Sequence, residues 1–204
     1  MIYAKNIVLR DLTESDIKDR IYWEKVETEW QQWDAPWEYE GLSEEEKEAE
    51  FQDYIDSLHK RAERCKNMPE DHKRYTFEIV TLDEKPKHIG WVSAYSIDED
   101  CNYTEGDGYC TVGITIPDRS ERGKGYGGEA LCAFINYLHG TGEKDFYTQT
   151  WSGNRNMIHL AEKMGFEEYC RKEGIRLVRG KNYDGLTFRL NREKYEEFCR
   201  KYKG

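Results

Sequence analysis

Arg122-Gly-Lys-Gly-Tyr-Gly-Gly128 sets four glycines within six residues, directly ahead of a helix whose Gly127, Ala130, Leu131, Phe134, Ile135 and Leu138 share one face and which Gly140 and Gly142 end. Glycine at this density lets Gly123, Gly125, Gly127 and Gly128 turn successive backbone N–H groups into one concavity. The helix start adds the positive end of its dipole. Arg119, Arg122 and Lys124 bring positive charge. Such a segment seats a phosphate or pyrophosphate. A turn that only aims the helix is the plainer alternative, but a chain reversal does not need four glycines.

The same run contains Gly123-x-Gly125-x-x-Gly128 with Glu143 twenty residues after Gly123, which imitates the dinucleotide fingerprint of a nucleotide-binding oxidoreductase. That fingerprint follows its strand directly inside a parallel βαβ unit. Here Pro117-Asp-Arg-Ser-Glu-Arg122 intervenes, and hairpin-like strands come before it. No Gly-Lys-Ser/Thr is present, so a Walker loop is excluded.

Outward from the glycines, Tyr109-Cys-Thr-Val-Gly-Ile-Thr-Ile116 reads as a strand stopped by Pro117, and Phe146-Tyr-Thr-Gln-Thr-Trp151 as another. Met157, Ile158, Ala161 and Met164 mark a short helix closed by Gly165. Residues 74–82 and 88–95 read as a hairpin, as do residues 175–179 and 185–190 around a turn at 180–184. Ile7-Val-Leu-Arg10 is a first strand. Thr13-x-x-Asp16 fits a capping box opening a helix with Ile17, Ile21 and Val26 as core positions. Ser43-x-x-Glu46 starts a second helix carrying Phe51, Tyr54, Ile55, Leu58 and Ala62, and Tyr195, Phe198, Cys199 and Tyr202 stripe a terminal one. The pattern predicts one α+β domain over residues 1–204, a mostly antiparallel mixed sheet flanked by helices. The Gly-containing loop at 98–107 reads either as an acceptor lid or as an idle loop.

Thirty-one Lys and Arg against forty-one Asp and Glu give a net charge of −10, which disfavours a phosphate-backbone partner such as nucleic acid. The longest apolar run, residues 130–135, is far short of a membrane span, and residues 1–6 lack a leader pattern. The six cysteines form no C-x-x-C and no zinc spacing, so they predict reduced thiols in a cytoplasmic chain without a metal.

Three elements together resemble the GNAT acetyltransferase superfamily. Arg122-x-x-Gly125-x-Gly127 matches its pyrophosphate loop, and Val112-Gly-Ile-Thr-Ile116 matches the strand that holds the pantetheine arm. Asn154-x-x-Met-Ile-x-Leu-Ala-Glu-Lys-Met-Gly165-Phe166 matches its second cofactor element, and Leu160 to Phe166 is most similar to the ribosomal-protein N-terminal acetyltransferase branch. The resemblance implies a GNAT-type fold and acetyl transfer from acetyl-CoA to a primary amine by direct attack in a ternary complex. The acceptor is then a small cationic amine or a peptide or protein N-terminus, and the enzyme a monomer or homodimer. It implies cofactor contacts from Ile114, Thr115, Ile116, Arg122, Gly123, Lys124, Gly125, Tyr126, Gly127, Gly128 and Asn154, with a backbone N–H near Ile116 as oxyanion donor. Asn154 also fits an ordinary helix cap.

Two positions depart from the family. Its usual strand glutamate corresponds to Thr111, and its usual helix tyrosine to Ala161. A thiol of pKa ~8.5 leaves without full protonation, but an ammonium of pKa ~10.4 must lose a proton. Asp34, Glu29 and Asp184, with Ser152 beside Asn154, are the candidate catalytic residues; each also reads as an ordinary surface group. Trp30, Trp33, Asp34 and Trp37, with Trp151 and Tyr183, are candidate acceptor contacts, since aromatic faces and carboxylates suit an ammonium. Packing of those tryptophans onto the sheet is the competing reading. The two departures motivate an alternative function, a non-catalytic acyl-CoA-binding sensor.

Overall fold

Alternating apolar residues over short runs become strands, and the longer 3.6-period stripes become helices around them. The computed structural model describes residues 1–202. Within them the chain order is β1 (Ile2–Tyr3), β2 (Ile7–Arg10), α1 (Ile17–Lys25), α2 (Glu44–Lys66), β3 (Thr76–Thr81), β4 (His88–Ile97), β5 (Tyr103–Thr104), β6 (Tyr109–Thr115), α3 (Tyr126–Gly140), β7 (Phe146–Trp151), α4 (Arg155–Met164), β8 (Phe166–Val178), β9 (Lys181–Leu190) and α5 (Arg192–Cys199). One sheet runs β1-β2-β3-β4-β6-β7-β9-β8, with β5 added to β4. Every pairing is antiparallel except β6 with β7. This is a single α+β domain, and its topology removes the dinucleotide-fold alternative; Glu143 pairs with Lys73 instead.

Period-two alternation assigns the faces. Phe77 and Ile79 of β3 join Ile7, Leu9 and Val92 against the buried stripe of α3. Glu78, between them, points to the other face, under α1 and α2. It is fully buried and held by Arg20 at 2.9 Å, by Arg61 and by His88 Nε2 at 2.8 Å. Burial opposes its ionisation, but the His88 hydrogen bond and the two guanidiniums outweigh that and hold its carboxyl below the usual range. Nearby, burial pushes Asp16 up, and hydrogen bonds from Arg10 and Thr13 bring it down to about 2.

This ionic centre corrects the reading of the first helix. Ile17 is buried, but Ile21 is 39% and Val26 66% exposed, while Arg20 and Trp23 face inward. An apolar count fails there because the buried residue is an arginine, paired with Glu78 and stacked 3.4 Å over the Trp91 ring. The second helix follows its reading: Ser43 and Glu46 exchange backbone-to-side-chain bonds of 2.8 and 3.2 Å at its start.

Two further expectations are corrected. The last hairpin turns at Arg179 and Gly180, so Tyr183 and Asp184 lie within β9 and not in a loop. Cys132 on α3 and Cys199 on α5 form a disulfide, where six free thiols were expected. Sixty-seven residues separate them, so no local spacing announces the pair; packing of α5 on α3 brings their Cα atoms to 6.1 Å. Cys65, Cys101, Cys110 and Cys170 are free. No helix among the described residues is long and apolar enough to cross a membrane.

Two stability predictions follow from these contacts. Glu78→Ala leaves Arg20 buried without its carboxylate and is expected to lose about 3–5 kcal/mol in urea unfolding; a loss near zero contradicts the role given to the pair. A loop of this length is worth roughly 4 kcal/mol in the chain-entropy account, so reductant should lower the melting midpoint by roughly 10 °C. Cys199→Ser should melt at the reduced value and ignore reductant.

Candidate active site

β6 and β7 part company soon after they meet. They are in register only at Cys110 with Phe146 and Thr111 with Tyr147. Past that point the Thr148 hydroxyl donates to the Val112 carbonyl at 2.8 Å, and the strands diverge. The backbone edge of β6 from Gly113 onward thus faces a cleft of about 1160 Å³, lined by Ile114, Thr115 and Ile116 on that side and by Gln149 to Trp151 on the other. Thr111 is fully buried at the crotch, and Ala161 lies in the core, so neither carries proton chemistry.

Gly123, Gly125, Gly127 and Gly128 line one end of the cleft. Gly125 is the N-cap of α3 with φ +93°, a left-handed conformation that suits glycine, and no side chain caps the helix. The first-turn N–H groups are therefore left without a side-chain acceptor beside the cleft, an arrangement suited to an anion. Arg122 lines the same end but its guanidinium is spent on the chain itself. It donates to the carbonyls of Ile116 at 2.7 Å and Pro117 at 2.5 Å and to Glu29 at 2.6 Å. Lys124 pairs with Glu121 at 2.7 Å, and neither Lys124 nor Tyr126 lines the cleft. The cations open to this end are Arg119 and Lys163.

The segment between α1 and α2 crosses the open ends of both strands. The Trp33 carbonyl accepts the Trp151 indole N–H at 2.8 Å and Asn154 Nδ2 at 3.0 Å, and Thr115 on β6 donates to Asp34 at 3.1 Å. Asn154 lines the cleft, and its Oδ1 caps α4 through Met157 N at 3.1 Å. Trp30 is buried, bonded to the Trp23 carbonyl and set edge-on to Trp91, so it belongs to the floor. Trp37 meets Trp151 edge-on, and Tyr183 packs edge-on behind Trp151 without lining the cleft.

The four catalytic candidates separate cleanly. Burial works against Glu29, but bonds from the Trp33 indole at 2.7 Å and from Arg122 hold its carboxyl below the usual range and occupy it. Asp184 is kept low by Gly174 N–H at 3.0 Å and Arg171 at 2.5 Å, outside the cleft. Ser152 Oγ accepts Asp184 N–H and does not line the cleft. Asp34 alone of the four is open to the cleft without a cationic partner. Its side chain is exposed at the cleft mouth, where desolvation by the protein packed around that mouth pushes its carboxyl above the usual aspartate range and the Thr115 hydroxyl pulls the other way. Ala35 after it has φ +47°, a strained turn for a residue with a Cβ. Ser93, Tyr95, Gln149 and Arg176 also line the cleft. They were not singled out in the sequence, because each stands in a strand with no motif around it. None of residues 98–107 lines it, so that loop is no lid in this structure.

A split between parallel strands, with an uncapped glycine-lined helix start at one end and a lone carboxylate at the other, defines an acyl-transfer site of the acetyltransferase kind. The sequence model of the acetyltransferase (GNAT) domain matches residues 6–167, and the chain belongs to that family. It is an N-acetyltransferase, an acyltransferase. A curated relative, the SPbeta prophage-derived uncharacterized N-acetyltransferase YokL of Bacillus subtilis, is 24% identical over 146 residues, 70% of this chain and 78% of that protein. A GCN5-related N-acetyltransferase from Brucella melitensis superposes with a TM-score of 0.66 at 16% identity, over 99% of this chain and 83% of that one. The microcin C7 self-immunity acetyltransferase MccE, solved with acetyl-CoA and AMP, superposes at 0.63 and 16% identity, over 91% and 92%.

Gly125→Trp should weaken acetyl-CoA binding about 100-fold or more, because charge-assisted bonds of roughly 1.5–3 kcal/mol each would be lost. Calorimetry on a variant shown to be folded by circular dichroism checks this, and unchanged affinity removes the loop from the site.

Proposed function

We propose that this chain transfers acetyl from acetyl-CoA to the amine of a small cationic acceptor, with Asp34 as the general base. Bound acetyl-CoA supplies an acyl group activated as a thioester. The residues present fit it. The amides of residues 123–128 would take the pyrophosphate, and the free edge of β6 would bond the extended arm as an added strand does. Arg122 acts one step back, bracing the end of β6 and Glu29.

The observation that carries the reading is Asp34. Its carboxylate, exposed to the cleft and bonded by the Thr115 hydroxyl, is the one of the four candidates that faces the cleft without a cationic partner, and desolvation by the cleft walls raises its proton affinity toward the range useful for a base. Trp33, Trp37 and Trp151 line the same cleft and give it apolar, aromatic walls beside the carboxylate. The segment carrying Asp34 is tied across both strands, which narrows the acceptor end and favours a small amine over a peptide N-terminus. The similarity of Leu160 to Phe166 to the ribosomal-protein branch supports the peptide as the second reading. We also place the protein in the cytoplasm, as a monomer or homodimer.

Asp34→Asn should lower kcat/KM by about 10²–10⁴-fold while acetyl-CoA still binds. The base works ionised, so in the wild type the rate should rise with pH through the upward-shifted titration of Asp34, and the variant should lack that acid limb. A variant with the wild-type profile would refute the assignment. Cofactor binding with no turnover on any amine would favour the sensor.

A further inference from the structure

The acceptor end of the cleft holds one charge that acetyl transfer does not use. Arg176 on β8 is half-buried, lines the cleft, and sets its guanidinium carbon 4.3 Å from the Trp37 ring centre. It has no ion-pair or hydrogen-bond partner among the described residues. Arg122, Arg20 and Arg61 are engaged by oxygens, the first with Glu29 and two carbonyls and the other two with Glu78, and Arg119 is the other cleft-lining arginine without a side-chain partner among the described residues.

Its position separates it from the pyrophosphate end, where Arg119 and Lys163 stand. Arg176 and Asp34 act with opposite signs on the Tyr95 hydroxyl and on Glu38: Asp34 raises each, after burial, and Arg176 opposes it. Both poles therefore reach the same two groups. Glu38 does not line the cleft, so it leaves the guanidinium uncompensated on the cleft side. A guanidinium stacked on an indole keeps its N–H edge free for in-plane, two-point bonding to a carboxylate or phosphate. The stacking also shows that Trp37 offers its ring to this arginine, where a substrate ammonium was expected.

We propose that the acceptor amine also carries an anionic group, a carboxylate or a phosphate, and that Arg176 binds that group while the amine lies at Asp34. The inference rests on the acetyl-CoA-dependent reading above. It makes Arg176 a specificity residue. An acceptor lacking the anion leaves the guanidinium's donors unmatched, which is expected to cost about 10–100-fold in kcat/KM.

The test gives the intact chain acetyl-CoA and matched sets of small amines, each as the plain amine, the carboxylate-bearing analogue and the phosphate-bearing analogue, with products read by mass spectrometry. The expected result is a 10–100-fold preference for one anion-bearing member, and the two arms tell carboxylate from phosphate. Arg176→Gln should raise KM for that member by a similar factor, and Arg176→Lys should recover part of it. A structural role alone would not give this charge-dependent rescue. The inference is overturned if the plain amine is acetylated as well or better, if Arg176→Gln leaves KM unchanged, or if no anion-bearing amine reacts while acetyl-CoA binds. Failure of acetyl-CoA to bind would remove the acetyl-transfer reading and this inference with it.

Discussion

The parting of β6 from β7 is the constraint on which the rest of the molecule depends. Each strand is fixed by its outer neighbour: β6 by seven register pairs with β4 and β7 by five with β9, against two between them. The outer ladders win, and the inner edges are left with backbone groups that no strand completes. Buried backbone groups of this kind need partners from side chains, water or a ligand. The chain supplies one at the crotch, where Thr148 meets the Val112 carbonyl, and it closes the mouth by a separate tie, the Trp151 indole and the Asn154 amide sharing the Trp33 carbonyl. Between the two it leaves the edge free, and that free edge makes the sheet a binding site.

The buried ionic centre determines what crosses the mouth. Glu78 draws Arg20 inward, and Arg20 covers Trp91. Trp30 packs edge-on against the same ring, and its N–H is taken by the Trp23 carbonyl of α1. The position of Asp34 is thus inherited through contacts that begin at a salt bridge on the opposite side of β4. A buried pair of this kind contributes little net stability over an apolar one, but breaking it is costly, so its value lies in fixing one arrangement of α1. The strained backbone at Ala35 fits the same picture, since a left-handed alanine persists only where its surroundings fix it.

Local patterns made much of this legible in advance. The glycine run, the helix behind it and the strands around it follow from spacing that physics reads within a window of about 18 residues. What resisted were long-range facts. Glu29, Asp34 and Asp184 are equal as letters, and only their partners separate them: Arg122 for the first, Arg171 for the last, none for Asp34. Arg20 defeats an apolar count because its partner lies fifty-eight residues away. Cys132 and Cys199 carry no spacing signal, and Arg176 sits between Ile175 and Leu177, which are apolar but exposed, so alternation along the strand gives no sign that the arginine faces a cleft. Asn154 was legible in both of its roles, yet the cap and the bond to Trp33 could be assigned only once that segment was seen to cross the strands.

The chain beyond the family match explains why a shared cofactor end can serve a particular acceptor. Residues 168–202 lie outside the matched span and do two separate things. At the cofactor end, α5 and the turn after it brace the glycine run: a Cβ on Gly128 would come within 2.9 Å of the Phe198 ring, and Tyr202 donates to the Gly125 carbonyl at 3.3 Å. The disulfide to Cys132 holds that brace in place. Gly128 is therefore demanded by the C-terminal helix as much as by any phosphate, and part of the glycine signal is a packing signal. At the acceptor end, β8 and β9 supply Arg176 and the Tyr183 ring that backs Trp151. The cofactor half needs backbone amides, which many sequences can provide in the same geometry. On the proposed assignment the acceptor half needs particular side chains at particular places, and these would come from the hairpin and from the segment between α1 and α2, the two parts least constrained by the sheet's central split.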